Sequence, residues 1–406
     1  MNREPSMNES FFEKLKMVRG RDLLHIFIFL LALLPAAVYR RRRKHLWLVC
    51  EKGQEAGDNG FAFFRYLRQH QPQVDAVYAI APHCPQEQKV AALGPVVAFG
   101  SLRHWIYYLA AEVNVSSQKD GKPNAAVCYL MEVVLKLPLG GRSVFLQHGV
   151  IKDDLPFLHR EKTNFHIFCC GALPEYEYVR DHFGYGPGVV QYTGLCRFDA
   201  LHGLTAEEEL VLIMPTWRME WQRSGDEEKF RESPFYLGWR DLLTDENFRA
   251  LLRKYGKKAV FCMHRNMEAF EPCFDCLGGE EIQILSWKEA RVDQLIHRAG
   301  TLITDYSSVA MDFAYLHRPL FYYQFDYENF RARHLPEGYF DYERDGFGPV
   351  VSTPAALTER LTAAWDDPAV CREYRDRANR FYPLHDTHHC ERTYLAVTHL
   401  LGQKAL

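Results

Sequence analysis

The chain is 406 residues long, beyond one ordinary hydrophobic core and in the range of two domains. With 47% hydrophobic and 25% charged residues it is globular in composition, which excludes wholesale disorder, and a net charge of -3 leaves no broad basic field for nucleic acid. The 11 cysteines are odd in number and irregularly spaced, which argues against a disulfide framework and for a reducing compartment.

Residues 23–38 are apolar apart from His25, contain Pro35, and fall short of the ~20 residues a spanning helix needs. Lys14, Lys16, Arg19 and Arg21 precede this run, and Arg40, Arg41, Arg42, Arg43 and Lys44 follow it at once. A signal peptide would end in small residues, not in a basic cluster. Positive flanks suit a segment held at an anionic leaflet, interfacial or spanning, with the bulk of the chain cytoplasmic. A buried core helix is the competing reading. Residues 1–44 are therefore expected to form a membrane-associated segment.

Beyond residue 44, strand-like and helix-like stretches alternate. Residues 45–49, 74–81, 96–99, 113–116, 143–147, 165–169 and 189–193 read as strands, and 60–70 as a helix started by Asp58-Asn59-Gly60. Residues 211–214, 259–263, 282–285, 301–304 and 320–323 are further apolar runs of strand length, with helices over 292–298 and 307–316. A hinge is expected near 200–209. The pattern predicts an α/β protein of two Rossmann-like domains facing a cleft, residues 45–203 and 204–406.

Polar groups sit where these strands end. The strand at 144–147 leads into His148-Gly149, that at 211–214 into Pro215-Thr216-Trp217-Arg218, and that at 260–263 into His264-Arg265-Asn266. The strand at 301–304 leads into Asp305-Tyr306-Ser307-Ser308, where a helix begins. Ligands in parallel sheets bind at such carboxyl ends. Ser307 and Ser308 offer hydroxyls and backbone N–H groups to phosphate, although a plain helix cap uses the same residues. Arg218 and Arg265 can hold phosphate oxygens through their planar forks, or form salt bridges. His148, with glycine beside it, suits a general base, and His264 a second catalytic imidazole; both could instead be structural.

The remaining candidates are weaker. Cys273 and Cys276 lack a second pair at zinc spacing, and His385, His388 and His389 read as a solvated loop, so no metal site is assigned and no cofactor is expected. Asp366-Asp367-Pro368 reads as a turn; Asp153-Asp154 stays open as a weak divalent-ion pair.

The stretch Leu302–Ala314, with Arg318-Pro319-Leu320-Phe321-Tyr322, Asp326, Tyr339–Glu343 and Gly348-Pro349, closely resembles the CDP-glycerol glycerophosphotransferase family of teichoic acid and capsule synthesis. Pro215–Arg218 is similar to its Pro-Thr-Trp-Arg, and Gly194–Asp199 to its Gly-x-Pro-Arg-x-Asp. The resemblance is dense from about residue 145 to 351. It implies a GT-B-like fold, an acceptor domain at 45–203, a nucleotide-donor domain at 204–406, and peripheral attachment to the inner membrane face. By position it implies His148 and His264 as catalytic and Ser307 and Ser308 as pyrophosphate-binding groups; Arg218, Arg265, Thr304 and Asp305 join the serines as candidate donor or phosphate groups. Lys152 and Arg197 would serve the acceptor side. Gln147, Val150, Cys196 and Arg265 replace the family's usual Trp, Thr, Pro and Pro. The expected partners are a CDP-polyol such as CDP-glycerol and a lipid-linked polymer. A GT-B glycosyltransferase and a non-catalytic membrane-associated protein are the alternatives.

Overall fold

The computed structural model describes residues 20–402 apart from 223, 291 and 334. Lys14, Lys16 and Arg19 lie outside the described residues. The chain divides into two compact units. Among the described residues, the first comprises 20–149, 155–200 and 386–402, and the second 150–154 and 201–385.

The first unit opens with helix α1, Gly20–Arg42. Its sheet has seven strands: β1 Leu46–Cys50, β2 Asp75–Ile80, β3 Val96–Ala98, β4 Val113–Ser116, β5 Arg142–Phe145, β6 Ile167–Cys170 and β7 Val190–Tyr192. The order is β3-β2-β1-β4-β5-β6-β7, with parallel pairing throughout. Helices α2, Asn59–His70, and α3, Leu102–Ala110, cover it. Every residue of β1 and β6 is buried, as expected for strands covered on both faces.

The second unit holds a six-stranded parallel sheet, order β10-β9-β8-β11-β12-β13. Its strands are β8 Glu207–Ile213, β9 Lys258–Cys262, β10 Ile282–Leu285, β11 Ala299–Thr304, β12 Leu320–Tyr323 and β13 Val350–Val351. Helix α4, Val309–Tyr315, follows β11. The chain then returns to the first unit, where α5, His389–Leu400, packs Cys390, Tyr394 and Val397 into the same core as Trp47 and Phe63. Where the sequence suggested one change of domain near residue 203, the division falls after Ala200 and again after His385.

Helix α1 lies along the first unit. Phe29, Ala32 and Ala36 are buried against it, Trp105 Nε1 donates to His25 Nδ1 at 3.1 Å, and Tyr39 stacks on Tyr107 at 4.9 Å. Leu23, Leu24, Phe27, Leu30, Leu31, Leu34 and Val38 are all exposed, Leu34 by 76%. Their spacing marks one helical face. Residues 22–42 form the one described helix long and apolar enough to cross a membrane, by length and composition only.

Candidate active site

Each sheet reverses its strand order at one point, between β1 and β4 in the first unit and between β8 and β11 in the second. Carboxyl ends beside such reversals are where parallel sheets bind ligands. The loops that carry Arg218 and Ser307-Ser308 flank the reversal of the second sheet.

In the first unit, Gln147 precedes His148 and holds a left-handed backbone, φ 63°. A non-glycine residue stays there only when its surroundings fix it. Asn59 Nδ2 donates to Gln147 O at 2.8 Å, and Gln147 Nε2 donates to Glu175 Oε1 at 2.9 Å, all buried. Glu175 is itself held by the N–H groups of Gly171 and Ala172. The chain thus turns sharply after β5 and leaves the His148 ring open to solvent. Desolvation by the surrounding protein, then the charges of Lys52 and Arg197, hold its pKa below that of a free imidazole. At neutral pH the ring is therefore an unprotonated base.

Arg197, expected on the acceptor side, stands in the same unit. Its backbone N–H donates to Asn59 Oδ1 at 2.9 Å, and its side chain lies 3.3 Å from Asp58. The rest of its motif is structural. A Cβ on Gly194, φ 73°, would meet His389 Nδ1 at 1.8 Å, so only glycine fits. Asp199 accepts from the N–H groups of His389 and Cys390 at 2.8 and 3.0 Å, capping α5. Glu51, at the end of β1, gathers the N–H groups of Gly57, Asp58 and Phe61 and so fixes the start of α2; burial still pushes its carboxyl up. Sequence reasoning missed Glu51 and Lys52, because no motif marks them, and read Asn59 only as part of a helix start.

The second unit corrects several expectations. Arg218 is buried and its donors are used internally: Nη2 reaches Asp305 at 2.9 Å and Asp326 at 3.0 Å, and Nη1 reaches Thr216 O at 2.8 Å. Burial opposes its charge, but the two carboxylates outweigh burial and raise its pKa. Asp305 also accepts from the N–H groups of Thr216 and Tyr306, and Thr304 Oγ1 donates to Met214 O. Arg218, Thr304 and Asp305 therefore clamp the ends of β8, β11 and β12 together and are not open to a phosphate. Lys152, expected on the acceptor side, groups with the second unit. It is buried and paired with Asp153, which also accepts from Arg331 at 2.8 Å. Lys152 is thus not available to an acceptor, and Asp153 is not free for a divalent ion.

What that clamp presents is exposed. Ser307 is half-buried, its Oγ accepting from Val309 N–H at 3.3 Å; Ser308 is exposed and its hydroxyl makes no capping bond. His264 follows β9, its Nδ1 accepting from Asn266 N–H at 3.2 Å. Its half-buried ring lies 6.3 Å from Trp217 and 5.7 Å from Trp287. Arg265 beside it is exposed. Of the residues expected to hold phosphate or act in catalysis in this unit, Arg265 and Ser308 are exposed and His264 and Ser307 half-buried. His385 bonds Tyr315 O in this unit, whereas His389 lies in the first, so these histidines do not form one cluster. Among the described residues no three His, Cys, Asp or Glu side chains group for a metal.

The minor teichoic acid biosynthesis protein GgaB of Bacillus subtilis is 26% identical over 376 residues, 89% of this chain and 40% of that protein. The teichoic acid poly(glycerol phosphate) polymerase of Bacillus subtilis is 24% identical over 360 residues, 79% of this chain and 44% of that protein. The chain thus spans less than half the length of either relative. A structure of the wall teichoic acid polymerase TagF superposes with a TM-score of 0.65 at 17% identity, covering 96% of this chain and 98% of that one. At this identity the likeness is one of fold, two parallel-sheet α/β domains of GT-B-like type. The CDP-Glycerol:Poly(glycerophosphate) glycerophosphotransferase family pattern matches residues 195–399, half of the 406 residues, and takes in the Arg218, His264 and Ser307-Ser308 loops. The chain belongs to the CDP-glycerol:poly(glycerophosphate) glycerophosphotransferase family.

Proposed function

We propose that the chain transfers glycerol phosphate from CDP-glycerol to a hydroxyl of a membrane-linked cell-surface polymer and releases CMP, at the cytoplasmic face of the membrane. The observation that carries this reading is the family match across the strand-end loops of the second unit.

In the proposed reaction the unprotonated imidazole of His148 takes the proton of the acceptor hydroxyl. The oxygen attacks the β-phosphorus of the donor, and the bond from that phosphorus to the bridging oxygen of the CMP moiety breaks. Ser307, Ser308, His264 and Arg265 hold the phosphate oxygens, where charge spreads in such transition states. Arg218, Asp305 and Thr304 position the loop that carries the serines. Arg197 and Lys52 place positive charge near His148.

The membrane reading draws on α1. One face of this helix is docked on the first unit and the other is an exposed ridge of leucines. A helix bound along its length to a folded unit suits the plane of the interface better than a span. Arg40 to Lys44 at its end suit an anionic leaflet.

The test is to incubate the protein with CDP-glycerol, CDP-ribitol and UDP-sugars and a lipid-linked acceptor. CMP release from CDP-glycerol is expected. Nucleoside diphosphate release from a UDP-sugar, or no release at all, sinks the proposal. His148→Ala is expected to lower turnover by about 10²–10⁴-fold with donor affinity unchanged, because a general base acts in the transition state. A folded variant that keeps more than about a tenth of turnover removes His148 from the chemistry.

A further inference from the structure

A cavity of about 1130 Å³ opens in the first unit at the amino ends of β4, β5 and β6, opposite the end that carries His148. Arg142 begins β5 in this cavity, and His148 follows the opposite end of that strand. The two places are therefore distinct sites.

The charges of the cavity are unbalanced. Two of its three acidic lining residues are matched by lysines: Glu132 faces Lys122 at 2.5 Å and Glu161 faces Lys162 at 4.0 Å. Glu112 has the imidazole of His45 at 3.1 Å. Lys122 and His45 do not line the cavity, and neither does Lys162. Arg40, Lys44, Lys136 and Arg142 do line it, and among the described residues none of them has an ion pair or a side-chain hydrogen bond. Four cations without an ion pair outnumber the one carboxylate, Glu112, that has no fixed charge opposite it, so the recess favours an anion by simple electrostatics. Burial, then Arg142 and Arg160, lower the pKa of His166 in the lining.

Position selects the anion. Arg40 stands one turn beyond Ala36, on the side of α1 that docks against the unit, and the exposed leucines lie on the other side. A helix lying in an interface sinks its apolar face into the headgroup–acyl boundary, which leaves phosphate groups level with the protein-facing side. Arg40 and Lys44 at the end of α1 line the cavity, and Leu137, 46% exposed, lines it as well. We propose that this cavity seats the phosphate headgroup of a membrane lipid. The proposal rests on the membrane reading of α1 and gives that reading a specific headgroup contact.

The experiment uses the full chain and dihexanoyl-phosphatidylglycerol below its micelle concentration, titrated by calorimetry, with a soluble poly(glycerol phosphate) oligomer and inorganic phosphate as comparison probes. Wild type is expected to bind the short-chain lipid more tightly than either comparison probe. Lys136→Gln/Arg142→Gln, two exposed positions, is expected to weaken lipid binding by at least about tenfold, at roughly fivefold per lost charge. Arg40→Gln/Lys44→Gln, on another wall, is expected to do the same, which covers the case of one variant misfolding. Leu30→Ser/Leu34→Ser is expected to keep short-chain lipid binding while losing flotation with anionic vesicles. Unchanged lipid affinity in the folded cavity variants overturns the headgroup site. So does tighter binding of the polymer or of free phosphate than of lipid. Undiminished flotation of the leucine variant overturns the membrane reading of α1 instead, so the two failures are separable.

Discussion

Gln147 carries the sharpest local constraint in the chain. Its positive φ, beside a buried strand, is maintained by Asn59 from below and Glu175 from the side. Asn59 also receives the Arg197 N–H, so one buried amide ties together the start of α2, the His148 turn and the Arg197 loop. Asn59→Ala removes a buried donor and acceptor at once. It is expected to cost about 1–3 kcal/mol of stability and to lower turnover through misplacement of His148, while donor affinity holds. Equal turnover in a folded Asn59→Ala protein would show that His148 does not depend on this tie. Arg218 makes the opposite case, a residue whose sequence position suggested a ligand and whose surroundings show a clamp. Arg218→Ala leaves Asp305 and Asp326 buried without their cation, at an expected cost of about 3–5 kcal/mol. A phosphate ligand would instead lose donor affinity at an unchanged melting temperature. The sequence could place Arg218 at a strand end but could not turn it inward. Its partner Asp326 lies 108 positions away, and the pairing of β8 with β11 and of β11 with β12 brings the two together.

At the scale of elements, the strands were legible and the helix faces were not. A parallel strand covered on both faces reads as an unbroken apolar run, as residues 320–323 do; 113–116 and 282–285, whose polar positions are not buried, also became strands with the expected bounds. The strand β8 starts earlier than its apolar run, because its first residues, an acidic stretch, are only partly covered. The pair Val350–Val351 is too short for any periodicity to show. Helix α1 is apolar on both sides, so hydropathy could not tell which side would dock. The docked side rests on α3, where Trp105 meets His25 and the buried His104 Nδ1 accepts from Gly100 N–H at 3.0 Å. Burial, then nearby His25, lower the pKa of His104 from 6.5 to about 3. Below pH 6.5 the unfolded chain takes up a proton that the folded one refuses, so stability falls as pH drops from 6.5 toward about 3; above 6.5 this group adds no slope. The slope is at most about 1.4 kcal/mol per pH unit for one proton. His104→Asn keeps an acceptor for Gly100 and is expected to flatten that slope in denaturant titrations between pH 4 and pH 6.5. An unchanged slope would assign the acid sensitivity to other groups.

The whole molecule closes its first unit last. Residues 386–402 return to it after the second unit in the chain, and α5 supplies Cys390, Tyr394 and Val397 to the core around Trp47 and Phe63. A sequence pattern shows a final helix but not its destination, since the same apolar stripe would serve either sheet. The destination is fixed by Asp199 capping the helix and by Gly194 leaving room for His389. Tyr394 is the largest side chain α5 contributes, and its ring lies 6.0 Å from Trp47. Tyr394→Ala removes that ring from a position only 5% exposed, at an expected cost of about 3 kcal/mol. The loss belongs to the first unit alone, because Tyr394 packs into a core that shares no residue with the core of the second. Hydrogen exchange read by mass spectrometry should therefore show faster exchange in β1, β4 and α2. Protection in β8, β9 and β11 should stay at the wild-type level. Equal acceleration in both sets of strands would mean that the two units open together, and the return of α5 would then stabilise the entire chain rather than the unit it completes.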